Sequence, residues 1–212
     1  MLIRVDDFPS GNTSASLPMP EGLISQAYKD LLKMHAIIAA PFILGVTPCM
    51  ITDKWVDSLL ALPNLEIAVH GLTHRRGEFL ARDEERLVKS LGSFRIRFST
   101  GVFIPPFNYL DNSLLTLLHR SGFKTVCTGP ESYRVLELNF TDFSVVQSSW
   151  YGYSRDIEAM FDIEDEVSSL DCMTLHLPWE NSMNFKPLQI LMQRLHKLGV
   201  KIYSWSKIGE IP

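Results

Sequence analysis

Two adjacent carboxylates, Asp6 and Asp7, follow an apolar run that opens the chain. The segment Met1–Val5 predicts a β-strand, and Pro9 cannot donate to a ladder of strand hydrogen bonds, so the acidic pair lies where the strand ends. Successive strand residues point to opposite sides. One carboxylate can therefore bind a metal ion while the other accepts a proton. An acidic turn without a chemical role is the alternative interpretation, because Asp is common after strands.

Two imidazoles follow a later strand. His70 and His74 come directly after the predicted strand Leu65–Val69, and two His side chains at this spacing can converge on one metal ion. Gly71 stands where the zincin peptidases carry Glu, which excludes that class. Either His alone is more often structural than a ligand, so the case for a metal site depends on the whole set.

Two more segments bring polar groups to strand ends. The predicted strand Ser99–Ile104 runs into Pro105–Asn108, a rigid turn that can aim backbone N–H groups at a ligand. The predicted strand Cys172–Leu177 carries His176 near its end, where the imidazole can act as an acid or be a buried structural residue. Together the four segments supply one carboxylate and two His for a metal, a second carboxylate as base and a separate His as acid.

Strands alternate with helices along the chain. The predicted strands are residues 1–5, 36–45, 65–69, 99–104, 124–127, 144–148, 172–177 and 200–204. The predicted helices are residues 23–34, 52–62, 82–91, 112–121, 156–168 and 185–198. This order implies parallel strands with right-handed crossovers, and in one short domain it favours a closed or nearly closed barrel over an open sheet. In both folds active groups collect at the C-terminal strand ends, where all four segments lie.

Composition indicates an ordinary enzyme-sized globule. A chain of 212 residues fits a single domain covering residues 1–212. Hydrophobic residues make up 46% and charged residues 21%, and the net charge of -4 gives no reason to expect a polyanion as partner. We therefore expect no nucleic acid as a partner.

Cysteine usage and apolar runs bear on the compartment. Cys49, Cys127 and Cys172 are odd in number and far apart, which argues against a disulfide framework and fits a reducing cytoplasm. No signal-like segment opens the chain, and the longest apolar run, Ala36–Val46, contains Pro41 and is too short to span a bilayer. We expect a cytoplasmic protein that does not insert into membranes.

In chain order the four segments resemble the motifs of the NodB-homology polysaccharide deacetylases, which are metal-dependent carbohydrate esterases. The family's Thr-Phe-Asp-Asp-Gly-Pro motif matches Arg4–Pro9, and its His-x-x-x-His pair matches His70 and His74. Its Arg-x-Pro-x-Gly motif resembles Ile104–Asn108, and its Leu-x-His motif resembles Thr174–His176. The resemblance covers nearly the whole chain and implies an α/β fold, a distorted (β/α)7 barrel of parallel strands with the active site at their C-terminal ends.

The resemblance also implies the role of each site residue. The expected metal ligands are Asp7, His70 and His74, holding a divalent ion for which Zn²⁺ is the favoured choice. Asp6 is the expected base, His176 the expected acid, and the backbone N–H of Phe107 is expected to bind the oxyanion. The implied reaction is the removal of an N-acetyl group from a sugar or glycan precursor in surface-polysaccharide biosynthesis or modification.

Aromatic residues late in the chain are candidates for stacking against a sugar ring, and they can equally be core or rim residues. They are Trp150, Tyr151, Tyr153 and Trp179. Asn108 is a further candidate for substrate binding.

The chain departs from the family pattern around the base. Ile104 stands where the family has Arg, and no clear copy of the later Asp-x-x-Asp-Trp segment is found, only Ser148–Trp150. Losing both partners leaves neither charge buried and unpaired. Arg4 and Arg75 are the candidates to replace the missing cation. Asn108 replaces a family Gly.

Two alternatives stay open at this point. The missing Arg and Asp suggest a sugar-binding barrel that has lost turnover. A different metal-dependent barrel hydrolase, acting on another amide or ester, could use the same ligand set.

Overall fold

The computed structural model describes residues 1–12, 14–80, 83–129, 142–156 and 171–206. The described strands are β1 (Leu2–Phe8), β2 (Phe42–Val46), β3 (Leu65–His70), β4 (Val102–Ile104), β5 (Thr125–Thr128), β6 (Ser144–Gln147), β7 (Trp150–Tyr151) and β8 (Cys172–His176). The described helices are α1 (Glu21–Ile38), α2 (Asp53–Leu60), α3 (Glu84–Arg97), α4 (Asn112–Arg120), α5 (Leu177–Ser182) and α6 (Lys186–Lys197). The predicted helix 156–168 falls almost entirely outside the described residues.

The eight described strands form one parallel sheet in the order β6-β5-β4-β3-β2-β1-β8-β7. The sheet is strongly curled, because side chains from β1 to β5 and β8 meet in one interior cluster with Trp205. Arg4 on β1 donates to the carbonyl of Cys127 on β5, four strands away, at 3.2 Å. The expected distorted (β/α) barrel is confirmed, and the described sheet has eight strands where the (β/α)7 barrel implied by the resemblance has seven. The short strand β7 was not predicted.

The helices cover the outer face of the curled sheet. In α1 the side chains of Ile24, Leu31 and Met34 are fully buried and pack into the larger of two core clusters, which lies between the sheet and the helices. The inner strands are therefore covered on both faces, and this explains why β2 reads as a continuous apolar run.

Some predicted boundaries are wrong: the helix predicted over 82–91 runs from Glu84 to Arg97, and the strand predicted over 99–104 begins at Val102. The run 36–45 was expected to be a single strand, but α1 continues to Ile38 and β2 begins at Phe42. Ala39 ends the helix in the left-handed conformation at φ 47° and ψ 26°. Apolar residues alone do not distinguish the end of a buried helix from a buried strand, and Pro41 marks the true boundary because it disfavours helix at the residue before it.

The end of the described chain also differs from expectation. Residues 200–204 are not a strand. They lie beside the start of β1 through two hydrogen bonds, from the Met1 amino group to Lys201 O and from Tyr203 N to Met1 O. α5, which follows β8 directly, was not predicted.

The topology decides which strand ends meet. β1 lies between β2 and β8, and β3 and β4 follow on the β2 side, so the four predicted segments end at the same rim of the barrel. Within the part of the chain described above, no helix is both long enough and apolar enough to cross a membrane.

Candidate active site

Asp7, His70 and His74 meet where β1 and β3 end. Asp7 Oδ1 lies 3.3 Å from His70 Nε2 and 3.1 Å from His74 Nε2. One atom from each side chain lies within 4.8 Å of the other two. Ligand atoms about 2.0–2.1 Å from a tetrahedral Zn²⁺ ion lie roughly 3.3 Å from one another. One carboxylate and two imidazoles at this spacing therefore fit a divalent metal ion.

Local contacts orient these three ligands. His70 Nδ1–H donates to the carbonyl of Ile104 at 3.0 Å, so its Nε2 faces Asp7, as an outer hydrogen bond commonly orients a metal-binding His. Burial acts to raise the pKa of Asp7, but hydrogen bonds from His70 and His74 outweigh it and hold the pKa far below its usual range. Asp7 is thus ionised at neutral pH, as a metal ligand must be.

The expected base is held by a buried cation. Arg4 Nε donates to Asp6 Oδ1 at 2.8 Å and Arg4 Nη2 donates to Asp6 Oδ2 at 2.5 Å. Both side chains are buried, and the guanidinium also donates to Asn108 Oδ1 and to the Cys127 carbonyl. Arg75 is exposed. Arg4 is therefore the cation beside Asp6, in place of the Arg that Ile104 replaces in the family pattern.

This pairing decides the charge of Asp6. Burial alone would raise its pKa, but the charge of Arg4, assisted by His70 and by the Arg4 hydrogen bonds, brings the pKa below its ordinary value. Asp6 is consequently a carboxylate at neutral pH and can accept a proton.

His176 lies at the end of β8, next to Asp6. Its Nε2 is 4.0 Å from Asp6 Oδ2, and its ring stacks on Trp179 with centroids 3.8 Å apart. Burial lowers the pKa of His176, and the charges of Asp6 and Asp7 offset this only in part.

Three of the four predicted aromatic residues form one cluster over His176. Tyr151 meets the His176 ring edge-on at 4.6 Å, and Tyr153 stacks on Trp179 at 4.8 Å. Trp150 lies apart from them, half-buried against the larger core. Because side chains alternate along β7, Tyr151 faces the site while Trp150 faces away from it.

The turn after β4 lies on the other side of the metal ligands. Phe107 is left-handed at φ 58° and ψ 17°, and its ring centroid is 4.9 Å from that of His74. The Phe107 side chain therefore packs against a candidate metal ligand, and binding of an oxyanion by its backbone N–H stays a prediction. Asn108, predicted to bind substrate, accepts a hydrogen bond from Arg4 through its side-chain oxygen. Its contact with substrate stays a prediction.

Comparison with protein-family models and with curated proteins found no match, whereas comparison with solved structures did. A family 4 carbohydrate esterase from Streptomyces lividans, solved with acetate, is 14% identical with a TM-score of 0.56, covering 96% of this chain and 90% of that one. The Xyl-CE4 domain of a multidomain xylanase from the hindgut metagenome of Trinervitermes trinervoides is 13% identical with a TM-score of 0.58, covering 99% and 88%. The chain has the fold of the polysaccharide deacetylases.

Fold alone does not select the chemistry. A 4-alpha-glucanotransferase from Thermococcus litoralis is also similar, at 10% identity and a TM-score of 0.65, over all of this chain and 40% of that one. Any deacetylase-like activity must therefore be argued from the site residues of this chain.

Sequence reasoning missed Glu78, a buried carboxylate that holds the turn between the two His ligands. Its oxygens accept from Leu72 N at 3.0 Å, Thr73 N at 2.7 Å and Thr73 Oγ1 at 2.7 Å. Gly71 has φ 68°, and a Cβ there would lie 2.2 Å from Glu78 Oε1. The turn thus needs both the carboxylate and the glycine, and no spacing rule in the sequence marks Glu78.

We expect Glu78→Gln to weaken metal binding by about tenfold, in the range found for outer residues that support metal ligands. The amide nitrogen of Gln would face one of the donors from which the carboxylate now accepts a hydrogen bond. That donor would lose its partner, the turn would loosen, and His74 would lose its fixed position. Competition with a fluorescent zinc chelator measures the affinity. The control is Glu85→Gln on the exposed face of α3. Equal affinity in wild type and Glu78→Gln would show that the carboxylate does not position the ligands.

Proposed function

We propose that this chain is a metal-dependent hydrolase that removes an N-acetyl group from a sugar or glycan precursor. The observation that carries the proposal is the arrangement at one barrel rim. Three ligand side chains converge next to an Arg-paired carboxylate, Asp6, and His176 Nε2 lies 4.0 Å from that carboxylate. A barrel that served only as a scaffold has no need of these buried titratable groups at one point.

Asp7, His70 and His74 would hold the divalent ion, with Zn²⁺ favoured by the imidazole and carboxylate donors. Such an ion, when bound, polarises the substrate carbonyl and lowers the pKa of a bound water. Asp7 lies near the end of β1, His70 ends β3 and His74 lies in the turn after it. These three side chains would leave other coordination positions to water and substrate.

The other residues of the site move protons and bind charge. Asp6, ionised and fixed by Arg4, accepts a proton from the attacking water. The backbone N–H of Phe107 donates to the developing oxyanion, an interaction worth about 3 kcal/mol in known oxyanion holes. His176 donates a proton to the nitrogen of the departing amine, which leaves as the free amino sugar, and acetate is the second product.

The aromatic cluster supports a sugar as substrate. Tyr151 and Trp179 contact the ring of the proposed acid His176, and Tyr153 stacks on Trp179. Aromatic side chains of this kind stack against the apolar faces of pyranose rings. The proposed substrate is a nucleotide-linked or lipid-linked glycan precursor in the cytoplasm, a compartment suggested by the odd number and wide spacing of the cysteines in the sequence.

Arg4 weakens the case for an inactive sugar-binding barrel. That alternative depended on the loss of the family Arg, and β1 supplies a buried guanidinium to the same carboxylate. The missing cation that suggested lost turnover is thus supplied by another residue of this chain.

Metal content tests the proposal first. We expect protein purified without added metal, or dialysed against Zn²⁺, to hold about one ion per chain, and His74→Ala to lose most of it, because it removes one of three ligands. Mass spectrometry for metals gives the count. His196→Ala, on the exposed face of α6, is the matched control and should keep its ion.

Acetate release from N-acetylglucosamine oligosaccharides and from a nucleotide-linked N-acetyl sugar is the second test. A chain that stays empty of metal in Zn²⁺ would contradict the proposal. A loaded chain that releases another product from other amides or esters would instead identify a different hydrolase.

A further inference from the structure

A cavity of about 850 Å³ lies between α3, α4 and the segment that follows His74. Its walls are largely apolar and include four buried leucines, Leu87, Leu110, Leu114 and Leu117, beside the buried Pro106 and the buried carboxylate Glu78. Three large apolar side chains at its edge are well exposed, Leu80 at 61%, Tyr109 at 58% and Phe107 at 41%. Volume and lining are those of a small-molecule site.

The cavity adjoins the candidate active site. Pro106, Phe107 and Asn108 all line it, and they form the turn that lies against the metal ligands. The Phe107 ring is 4.9 Å from that of His74, centroid to centroid. A substrate whose amide lies at the metal site can therefore extend past Phe107 into the cavity.

Two guanidinium groups lie along the same cavity. Arg75 and Arg76 both line it and are exposed, and the Arg76 guanidinium lies 5.0 Å from the centre of the Phe107 ring. Among the residues that the structure describes, no carboxylate forms an ion pair with either Arg.

The acidic groups of the lining are already engaged. Glu78 accepts from the turn between the His ligands, and Glu84 pairs with Arg120. Asp111 caps α4 by accepting from Leu114 N, and it also accepts from the Tyr109 hydroxyl. Glu78 and Asp111 keep their negative charge, but their oxygens already accept hydrogen bonds and Glu78 is buried. The charged hydrogen-bond donors that the cavity offers to a ligand are therefore the two exposed guanidinium groups, which favour phosphate.

We propose that this cavity binds an alkyl phosphate, the phosphate lying at Arg75 and Arg76 and the chain against the leucine walls. The inference rests on the proposed function, since it makes the substrate a lipid-phosphate-linked N-acetyl sugar. A nucleotide-linked sugar shares the phosphate, but its polar base suits four leucines poorly. The apolar lining therefore favours a lipid over a nucleotide as the group attached to the phosphate.

Calorimetric titration of the zinc-loaded full chain with decyl phosphate, below its micelle-forming concentration, tests the site. Inorganic phosphate has the same head group without the chain, decyltrimethylammonium has the same chain with the opposite charge, and uridine monophosphate stands for the nucleotide. We expect decyl phosphate to bind at least about tenfold more tightly than each of these, because only it satisfies both the guanidinium groups and the apolar walls.

The double variant Arg75→Gln/Arg76→Gln should lose about tenfold or more of this affinity, given the strength of charge-assisted contacts to phosphate. Leu80→Asn, at an exposed edge position, should weaken binding without affecting the fold. Arg86→Gln/Lys89→Gln removes two positive charges from exposed positions of α3 outside the cavity lining and should change nothing.

Three results would overturn the inference: tighter binding of uridine monophosphate, equal binding by the Arg75→Gln/Arg76→Gln variant, or binding that disappears when the metal is removed, which would place the phosphate on the ion. Failure of the proposed function looks different. If decyl phosphate binds as expected but no N-acetyl sugar releases acetate, the cavity stands and the deacetylase proposal falls.

Discussion

Replacing Arg4 with methionine should cost about 3–5 kcal/mol of folding free energy, because it leaves Asp6 buried without a counter-charge. Arg4 is 1% exposed and Asp6 is 2% exposed, so water cannot replace the lost partner. The guanidinium also donates to Asn108 Oδ1 and the Cys127 carbonyl, two acceptors that would lose this donor. Urea unfolding followed by circular dichroism measures the loss.

A double variant separates charge from packing. Arg4→Met/Asp6→Asn removes both charges, so we expect it to be more stable than Arg4→Met alone even though it carries one more substitution. Arg120→Met breaks surface pairs with Glu84 and Glu85 and should cost no more than about 1 kcal/mol. A double variant as unstable as Arg4→Met would mean that the guanidinium stabilises the fold by its packing and not by its charge.

Asp6→Asn should lower kcat by about 10²–10⁴-fold, the usual contribution of a positioned general base, because an amide cannot accept the proton from the attacking water. Metal content should stay near one ion per chain, since Asp7 and both His ligands are kept. Steady-state acetate release and metal analysis on the same sample measure the two effects. Equal losses of metal and activity would make Asp6 a ligand or a purely structural residue.

The pH profile of Asp6→Asn gives a second readout. Burial holds the pKa of His176 below its ordinary value of 6.5, and the negative charge of Asp6 raises it partway back. The protonated acid is lost as pH rises through this pKa. Removing the Asp6 charge lowers the pKa further, so the alkaline fall in residual activity should shift to lower pH. An unshifted limb would mean that His176 is not the acid.

Strand-end reasoning predicted much of the site. The acidic pair, His70 and His176 lie at the C-terminal ends of strands and His74 lies in the turn after β3, and parallel strands bring these ends to one rim. The sequence also offered Arg4 and Arg75 as candidates to replace the missing cation. Choosing between them required the fold, although Arg4 and Asp6 are two residues apart on one strand and so share a face.

Other features depended on tertiary contacts that no periodicity encodes. Glu78 accepts hydrogen bonds from two backbone N–H groups and one hydroxyl of the turn between His70 and His74. Its role therefore depends on the path of that turn. Tyr151 faces the site and the adjacent Trp150 faces away from it, and this difference depends on the register of β7 on β8. The cavity beside Phe107 arises from the packing of α3 and α4, two helices whose sequences show only ordinary amphipathic patterns.

Arg4 and Asp6 lie on the same strand, and this affects which substitutions the site can accept. Because Arg4 and Asp6 are two residues apart on β1, the proposed base and its counter-ion stay together whenever β1 is exchanged or grafted. β4 therefore does not need to supply a charged residue, and Ile104 packs in the apolar interior with Ile43 and Cys127. Substitutions in the turn after β4 can therefore reshape the substrate-facing loop while the proton-accepting group keeps its partner.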